Sequence, residues 1–395
     1  MNLDISKLRQ DTPGCEHVLH FNNAGAALMT RQVVEAMNEH HQLELLRGGY
    51  EAQAIADSRI NRVYHAISQL IHCLPHEIAI LENSTAAWDM AFYSIPFQQG
   101  DRILTSMSEY CSNYIAFLQV AKRTGAGIEV IPNDEYGQTS VEALRQMMDE
   151  RVKLIAINHV PTNSGLINPA AAIGRIAQQS NAYYLLDACQ SVGQIPIDVN
   201  EIQCDFLTAT GRKYLRGPRG TGFLYVREAL IEQLEPPFLD CHSAEWVAKD
   251  RYVIRPDASR FENWESNQAI KIGFGVAVDY LLDLGIERVS TRIVTLAEQL
   301  RSKLEEISGV RVTDIGEEKC GIVTFTSEQL DTVRIKQELA SQNMNVHSIG
   351  PGSARLDMED RQLERLIRAS VHYYNTDEEI DRFCTVLSSI LNRRG

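Results

Sequence analysis

The chain has 395 residues, 44% hydrophobic and 23% charged, which is ample for one or two packed domains. Its formal net charge of −14 argues against nucleic acid or an anionic membrane as a partner. No apolar run approaches the roughly 20 residues that a membrane span needs. The opening MNLDISKLRQ lacks the apolar core of a signal peptide, and the eight cysteines are scattered without a C-x-x-C pair. The expectation is a cytoplasmic protein with reduced thiols, no metal site and no disulfide framework.

Along the chain, short apolar runs alternate with longer amphipathic ones. EIAIL (77–81) precedes the helical NSTAAWDMAFYSI, and DRILTS (101–106) precedes NYIAFLQVAKRTGA. VKLIAIN (152–158) leads to AAAIGRIAQQSN, then AYYLLDA (182–188) and CDFLTA (204–209). Strands and helices alternating at this spacing predict a mainly parallel sheet covered on both faces. After about residue 261 the pattern changes. Long helical stretches at 269–285 and 289–307 precede strands at 309–316 and 321–327, a helix at 331–343, a strand at 344–350 and a final helix at 377–394. The division reads as an N-terminal segment (1–20), a large domain (21–261) and a smaller C-terminal α+β domain (262–395).

In open α/β sheets ligands bind beyond the carboxyl ends of the strands. After the run at 77–81 come Ser84 and Thr85 at the start of a helix. They read as an ordinary N-cap or as a phosphate cradle of free N–H groups and hydroxyls. After AYYLL comes Asp187, either a turn former or a carboxylate awaiting a partner, with Gln190 three residues on. After CDFLTA comes TGRKYLRGPRGTG, where Lys213 lies among Arg212, Arg216 and Arg219. That loop reads as solvated basic chain or as the seat of a lysine nucleophile whose pKa is lowered by neighbouring cations. Cradle, acid and lysine at successive strand ends are together what pyridoxal 5′-phosphate requires. Thr210 and Arg212 add donors for its phosphate. The positive charge then serves one small anion rather than a polymer.

DACQSVGQIPIDV (187–199) and TGRKYLRGPRGTGFLYV (210–226) resemble the class V aminotransferases, the fold-type I pyridoxal phosphate enzymes that include the cysteine desulfurases. The likeness runs from HFNNAGAAL near the start to IRASVHYYNTDEEIDRF near the end. It implies a large domain with a mainly parallel, seven-stranded sheet between helices, and a homodimer with shared active sites. It implies Lys213 as the Schiff-base lysine, Asp187 on the pyridine nitrogen, Gln190 at the ring 3-hydroxyl, and Ser84, Thr85, Thr210 and Arg212 at the phosphate. Tyr110, in SEYCSNY, stands where the family often stacks a histidine on the ring. In HVPTNSG, Thr162 and Asn163 are alternative contacts to the 3-hydroxyl, with His159 positioning the turn. Arg368 matches the arginine that forks onto the substrate carboxylate; Arg355 and Asn23 are further substrate contacts. His242, Trp246, Trp264, Tyr50 and Arg47 are candidates for the pocket wall.

Two departures matter. Many relatives carry Gly-Thr, reaching the partner subunit's phosphate, where this chain has Trp264 and Glu265; Ser266 or Asn267 is the candidate replacement. One desulfurase branch carries a catalytic cysteine about fifteen residues before the carboxylate-binding arginine, where this chain has Ser353 and no cysteine between Cys320 and Cys384. The expectation is an enzyme working on a small amino acid, by C–S β-elimination without a persulfide cysteine. Aminotransfer to a keto acid, amino-acid epimerisation and a non-enzymatic phosphate-binding scaffold are the alternatives.

Overall fold

The computed structural model describes residues 3–392; residues 1–2 and 393–395, the extreme ends of the expected first and last segments, lie outside the described residues. Seven strands form the central sheet: β1 (Ile78–Leu81), β2 (Arg102–Ser106), β3 (Gly127–Ile131), β4 (Val152–Asn158), β5 (Tyr183–Asp187), β6 (Phe206–Thr210) and β7 (Gly222–Val226). Their order is β1-β7-β6-β5-β4-β2-β3. The pairs from β3 through β6 are parallel, while β7 runs antiparallel to β1 and β6. The reason is local. Parallel pairing needs a crossover of a dozen or more residues, and the β6–β7 connection is a short turn with no helix. Strands β5 and β6 are almost wholly buried along their length, as a sheet covered on both faces demands.

Helices cover the sheet: α1 (Arg31–Arg47), α2 (Asp57–Ile71), α3 (Ser84–Phe92), α4 (Cys111–Thr124), α5 (Ala170–Ala177) and α6 (Gln268–Leu284). The last of these packs on α1 and α2. It belongs spatially to the large layer, although its sequence style matches the C-terminal part, and it connects the two parts of our proposed division. A second, antiparallel sheet has the order β8 (Val310–Val312), β9 (Ile322–Ser327), β11 (Leu366–Ser370), β10 (His347–Ile349). It carries α7 (Ile286–Glu305), α8 (Thr332–Ala340) and α9 (Asp377–Asn392). On α7, Val289, Ile293, Leu296, Leu300 and Leu304 recur at helical spacing and are fully buried. Each such side chain contributes about 1.5–3 kcal/mol by leaving water.

The start of the chain folds back onto this second sheet. Leu19–His20 pairs in parallel with Met344–Asn345, and Asn22 bridges to Ser370. Residues far away in sequence therefore brace the loops beyond β4–β6: Arg368 holds Thr162, and the Ala24 carbonyl holds Gln190. Among the described residues no helix is long and apolar enough to cross a membrane.

Candidate active site

Register brings the strand ends together: Asn158 pairs with Asp187, and Asp187 with Thr208. Beyond them opens a cleft lined by Ser84, Thr85, Tyr110, Thr162, Asp187, Gln190, Thr210, Arg212 and Lys213. These are nine of the residues singled out from sequence, and the same cleft is also lined by Asn83, Asn113, Asn158, Val160 and Cys189.

At one end, Asn83 caps α3, its Oδ1 accepting the Ala86 N–H at 2.9 Å. That leaves the N–H groups of the helix's first residues pointing out of its end, with the positive pole of the helix dipole behind them. Strand β7 passes close behind: a Cβ on Gly222 would lie 2.5 Å from the Asn83 carbonyl carbon. The Arg212 guanidinium donates to Thr210 Oγ1 at 2.8 Å, which aims it along this side of the cleft.

Lys213 lies in the turn after β6, closed by the Arg216 N–H donating to the Lys213 carbonyl at 2.9 Å. Burial lowers the Lys213 pKa; Arg212 and Arg368 push the same way, and Cys189 and Asp187 push back. The turn is held from outside. Arg216, fully buried, donates to the Leu28 carbonyl at 2.8 Å, Tyr373 Oη at 2.7 Å and Thr12 Oγ1 at 2.6 Å. It also lies over the Tyr374 ring at 4.5 Å. Gly193 has φ of +96°, and a Cβ there would stand 2.5 Å from the Tyr214 carbonyl carbon, so the turn after Asp187 can seat the lysine loop only with glycine.

Asp187 is buried at the end of β5 and accepts the Cys189 N–H at 2.9 Å and the Asn113 amide at 3.0 Å. Gln190 donates to the Ala24 carbonyl at 3.2 Å, and its buried Oε1 has no partner. Tyr110, at the mouth, is 37% exposed. Arg368, mid-strand in β11, donates to Thr162 Oγ1 at 2.7 Å and to the Thr162 carbonyl at 3.1 Å, and reaches Asn22 Oδ1 at 3.5 Å. Burial pulls its pKa down to about 10, and its Nε has no partner. Arg368 does not itself line the cleft but reaches it through Thr162; among the described residues its buried guanidinium has no carboxylate partner, which calls for an anion.

Three more expected contacts lie elsewhere. Asn163 turns inward, donating to Asp357 Oδ2 at 2.6 Å, so Thr162 is the member of that pair at the cleft. Asn23 is consumed in seating the chain's start: it donates to the Ser370 carbonyl at 2.7 Å and accepts from Tyr374 Oη. Arg355 points to solvent, paired with Glu359 at 2.5 Å. Tyr50, Trp246 and Trp264 are exposed, and none of them, nor Arg47 or His242, lines the cleft. Ser266 and Asn267 line a different depression with Gly220 and Thr221. His159 is buried behind Asp187, its N–H donating to the Asp187 carbonyl at 2.8 Å. Asn113, Cys189 and Asn22 were not anticipated. SEYCSNY offers a signal for Asn113 only once a helix is known to start at Cys111, which places the asparagine on the turn facing the cleft.

The family model described as aminotransferase class V matches residues 19–383. The chain belongs to that family. This class V enzyme is 28% identical to a probable cysteine desulfurase of Methanothermobacter thermautotrophicus over 97% of each chain. Its fold superposes on the apo cysteine desulfurase of Thermococcus onnurineus NA1 with a TM-score of 0.92, at 26% identity, covering 100% of this chain and 99% of the other. It shares the fold of the cystine C–S lyase C-DES, solved with its product cysteine persulfide, at a TM-score of 0.87 and 23% identity over 95% of this chain and 99% of that one. The fold is thus that of the fold-type I enzymes, and the cofactor is pyridoxal 5′-phosphate, which a C-DES variant of the same fold carries with glycine linked to it. The residues present fit that group. A helix N-terminus with free donors suits the phosphate, a buried acid without a cation suits the ring nitrogen, the unpartnered end of Gln190 suits a ring hydroxyl, and a pKa-lowered lysine suits the aldehyde.

Proposed function

We propose that this class V enzyme breaks the Cβ–S bond of a cysteine-type amino acid by elimination, without passing the sulfur to a cysteine of its own. The observation that carries the reading is the lack of a usable thiol at the cleft. Ser353 stands where one desulfurase branch has its sulfur acceptor, and residues 321–383 contain no cysteine. Cys189 does line the cleft, but burial, with Asp187 beside it, pushes its thiol up to about 12. At neutral pH it is almost wholly protonated, and the thiolate is the form that takes up sulfur. The sulfur then departs on the substrate's own leaving fragment. The activities of the desulfurase relatives and of the C–S lyase support chemistry at a sulfur-bearing Cβ.

On this reading Arg368, braced by Thr162, forks onto the substrate carboxylate. Ser84, Thr85, Thr210 and Arg212 hold the phosphate, Tyr110 stacks on the ring, and Asp187 keeps the pyridine nitrogen protonated. Pyridoxal 5′-phosphate, when bound, supplies an electron sink for Cα. Lys213, whose burial favours the neutral amine, removes the Cα proton. The Cβ–S electron pair leaves with sulfur, so one proton and one leaving group are lost together, and the three-carbon remainder takes up one water to end as pyruvate and ammonia. Leu45, Leu46, Tyr50 and Ile55 expose large apolar side chains near the end of α1 and just beyond it, which supports burial against a second copy in a homodimer.

The deciding experiment offers the enzyme cysteine, cystine, cysteine sulfoxides, and alanine with a keto acid. Pyruvate, sulfide and amino-acid exchange are assayed separately. Pyruvate formed in step with sulfur release supports elimination. Exchange with the keto acid but no pyruvate would make it an aminotransferase, and loss of optical purity alone an epimerase.

A further inference from the structure

Behind the cleft, two buried carboxyls meet across one amide. Asn113, in the first turn of α4, donates through Nδ2 to Glu109 Oε1 at 2.9 Å and to Asp187 Oδ2 at 3.0 Å, which engages both of its amide hydrogens. Glu109 also accepts the Tyr110 N–H at 2.7 Å on the same oxygen, and its other oxygen lies 2.8 Å from the Thr105 hydroxyl, which donates to the carboxylate and turns to accept from the protonated acid. Several other buried acids in this protein have cations, such as Glu262 facing Lys271 and Asp314 facing Arg301, while Glu77 is held by two backbone N–H groups. Among the described residues neither Glu109 nor Asp187 forms an ion pair, although both are buried. Two like charges in so dry a place are tolerated only if one takes up a proton or a cation joins them.

We propose that Glu109 is a positioning residue for Asp187: it fixes the Asp187 carboxylate through Asn113, and it releases its proton to solvent when a protonated pyridine nitrogen comes to rest against Asp187. This rests on the assignment of Asp187 to the ring nitrogen. Burial, and next to it the Asp187 charge, push the Glu109 carboxyl up to about 8, so it holds a proton at neutral pH while no cation is present. The other titratable groups facing this pair are Tyr110 and Cys111 at the start of α4, Cys189 after β5, and Lys213 in the β6–β7 turn. The pair thus stores the charge that the ring requires, carrying one negative charge in the empty site and two in the filled one. Because Glu109 binds its proton more tightly in the empty site than in the filled one, cofactor affinity rises with pH up to about 8 and levels off above it.

The test compares the wild-type apoenzyme with Glu109→Gln, which keeps the shape and cannot titrate. Pyridoxal 5′-phosphate is titrated calorimetrically in two buffers of different ionisation enthalpy, which counts the protons released. Titration of Lys213 is common to both proteins and cancels in their comparison. The expected result is up to one more proton released by wild type near pH 7, and a ratio of the two Kd values that changes up to tenfold per pH unit below about pH 8. A readout on wild type alone guards against a variant that does not fold. With 13C-labelled glutamate, the infrared difference spectrum on cofactor binding should lose a protonated-carboxyl band. Equal proton release in both proteins, or no change in a glutamic acid band, overturns the proposal. Failure of the underlying cofactor assignment shows up separately, as an adduct on some amine other than Lys213 after borohydride reduction.

Discussion

Burial itself favours the free amine of Lys213. Arg212 and Arg368 disfavour its proton further. Replacing Lys213 by Ala should abolish the yellow cofactor chromophore and lower turnover by at least about 10²–10⁴-fold, the range for loss of a positioned base, with the fold intact by circular dichroism. Arg368→Lys keeps the charge and loses the fork. KM should rise by about tenfold to a hundredfold, the worth of a charged hydrogen bond of roughly 1.5–3 kcal/mol, with a smaller change in kcat. His159 gives a pH prediction. Burial lowers its pKa to about 4, so the folded state holds fewer protons than the unfolded one between that value and its ordinary 6.5. Stability should therefore fall as pH drops through this window, by up to about 1.4 kcal/mol per pH unit, and the Tm of His159→Gln should fall less. Asp187, Lys213 and the Ser84–Thr85 pair were readable because each follows a clear strand. Asn23 and Arg355 misled because what claims them, Tyr374 and Ser370 for one and solvent for the other, is set by folding across more than 340 residues or by loop direction. Thr162 and Asn163 are neighbours in one turn, and only the turn's geometry decides which of them faces the cleft.

At the scale of elements, the site depends on close backbone approach. Strand β7 passes so near the N-terminus of α3 that Gly222→Ala forces a Cβ against Asn83. Overpacking of this kind costs about 1–3 kcal/mol. It should also displace the phosphate cradle, so the affinity for pyridoxal 5′-phosphate should fall more than that for unphosphorylated pyridoxal, measured as two Kd values. Equal losses would mean that the helix end does not hold the phosphate. The alternation of apolar runs gave away β1, β2, β4, β5 and β6 because each is buried on both faces. The antiparallel direction of β7 was less visible, since no residue pattern marks strand direction; the helix-free connection is the only hint. The helix α6 reads as part of the second domain by its style, yet its apolar face of Ala269, Ile272, Gly273 and Phe274 is spent on the large layer.

For the whole molecule, the start of the chain, the lysine loop and the second sheet are tied together at Arg216, so the cleft is assembled from residues that meet only in the finished fold. The exposed apolar side chains near the end of α1 predict a homodimer: sedimentation should give twice the chain mass, and Leu46→Glu should shift it toward a single chain. The account as a whole depends on where the cofactor is attached. The most direct measurement is borohydride reduction of the enzyme loaded with pyridoxal 5′-phosphate, followed by peptide mass spectrometry. The prediction is one stable adduct on the peptide carrying Lys213, lost in Lys213→Ala. A reduced adduct on another lysine, or none at saturating cofactor, would contradict it.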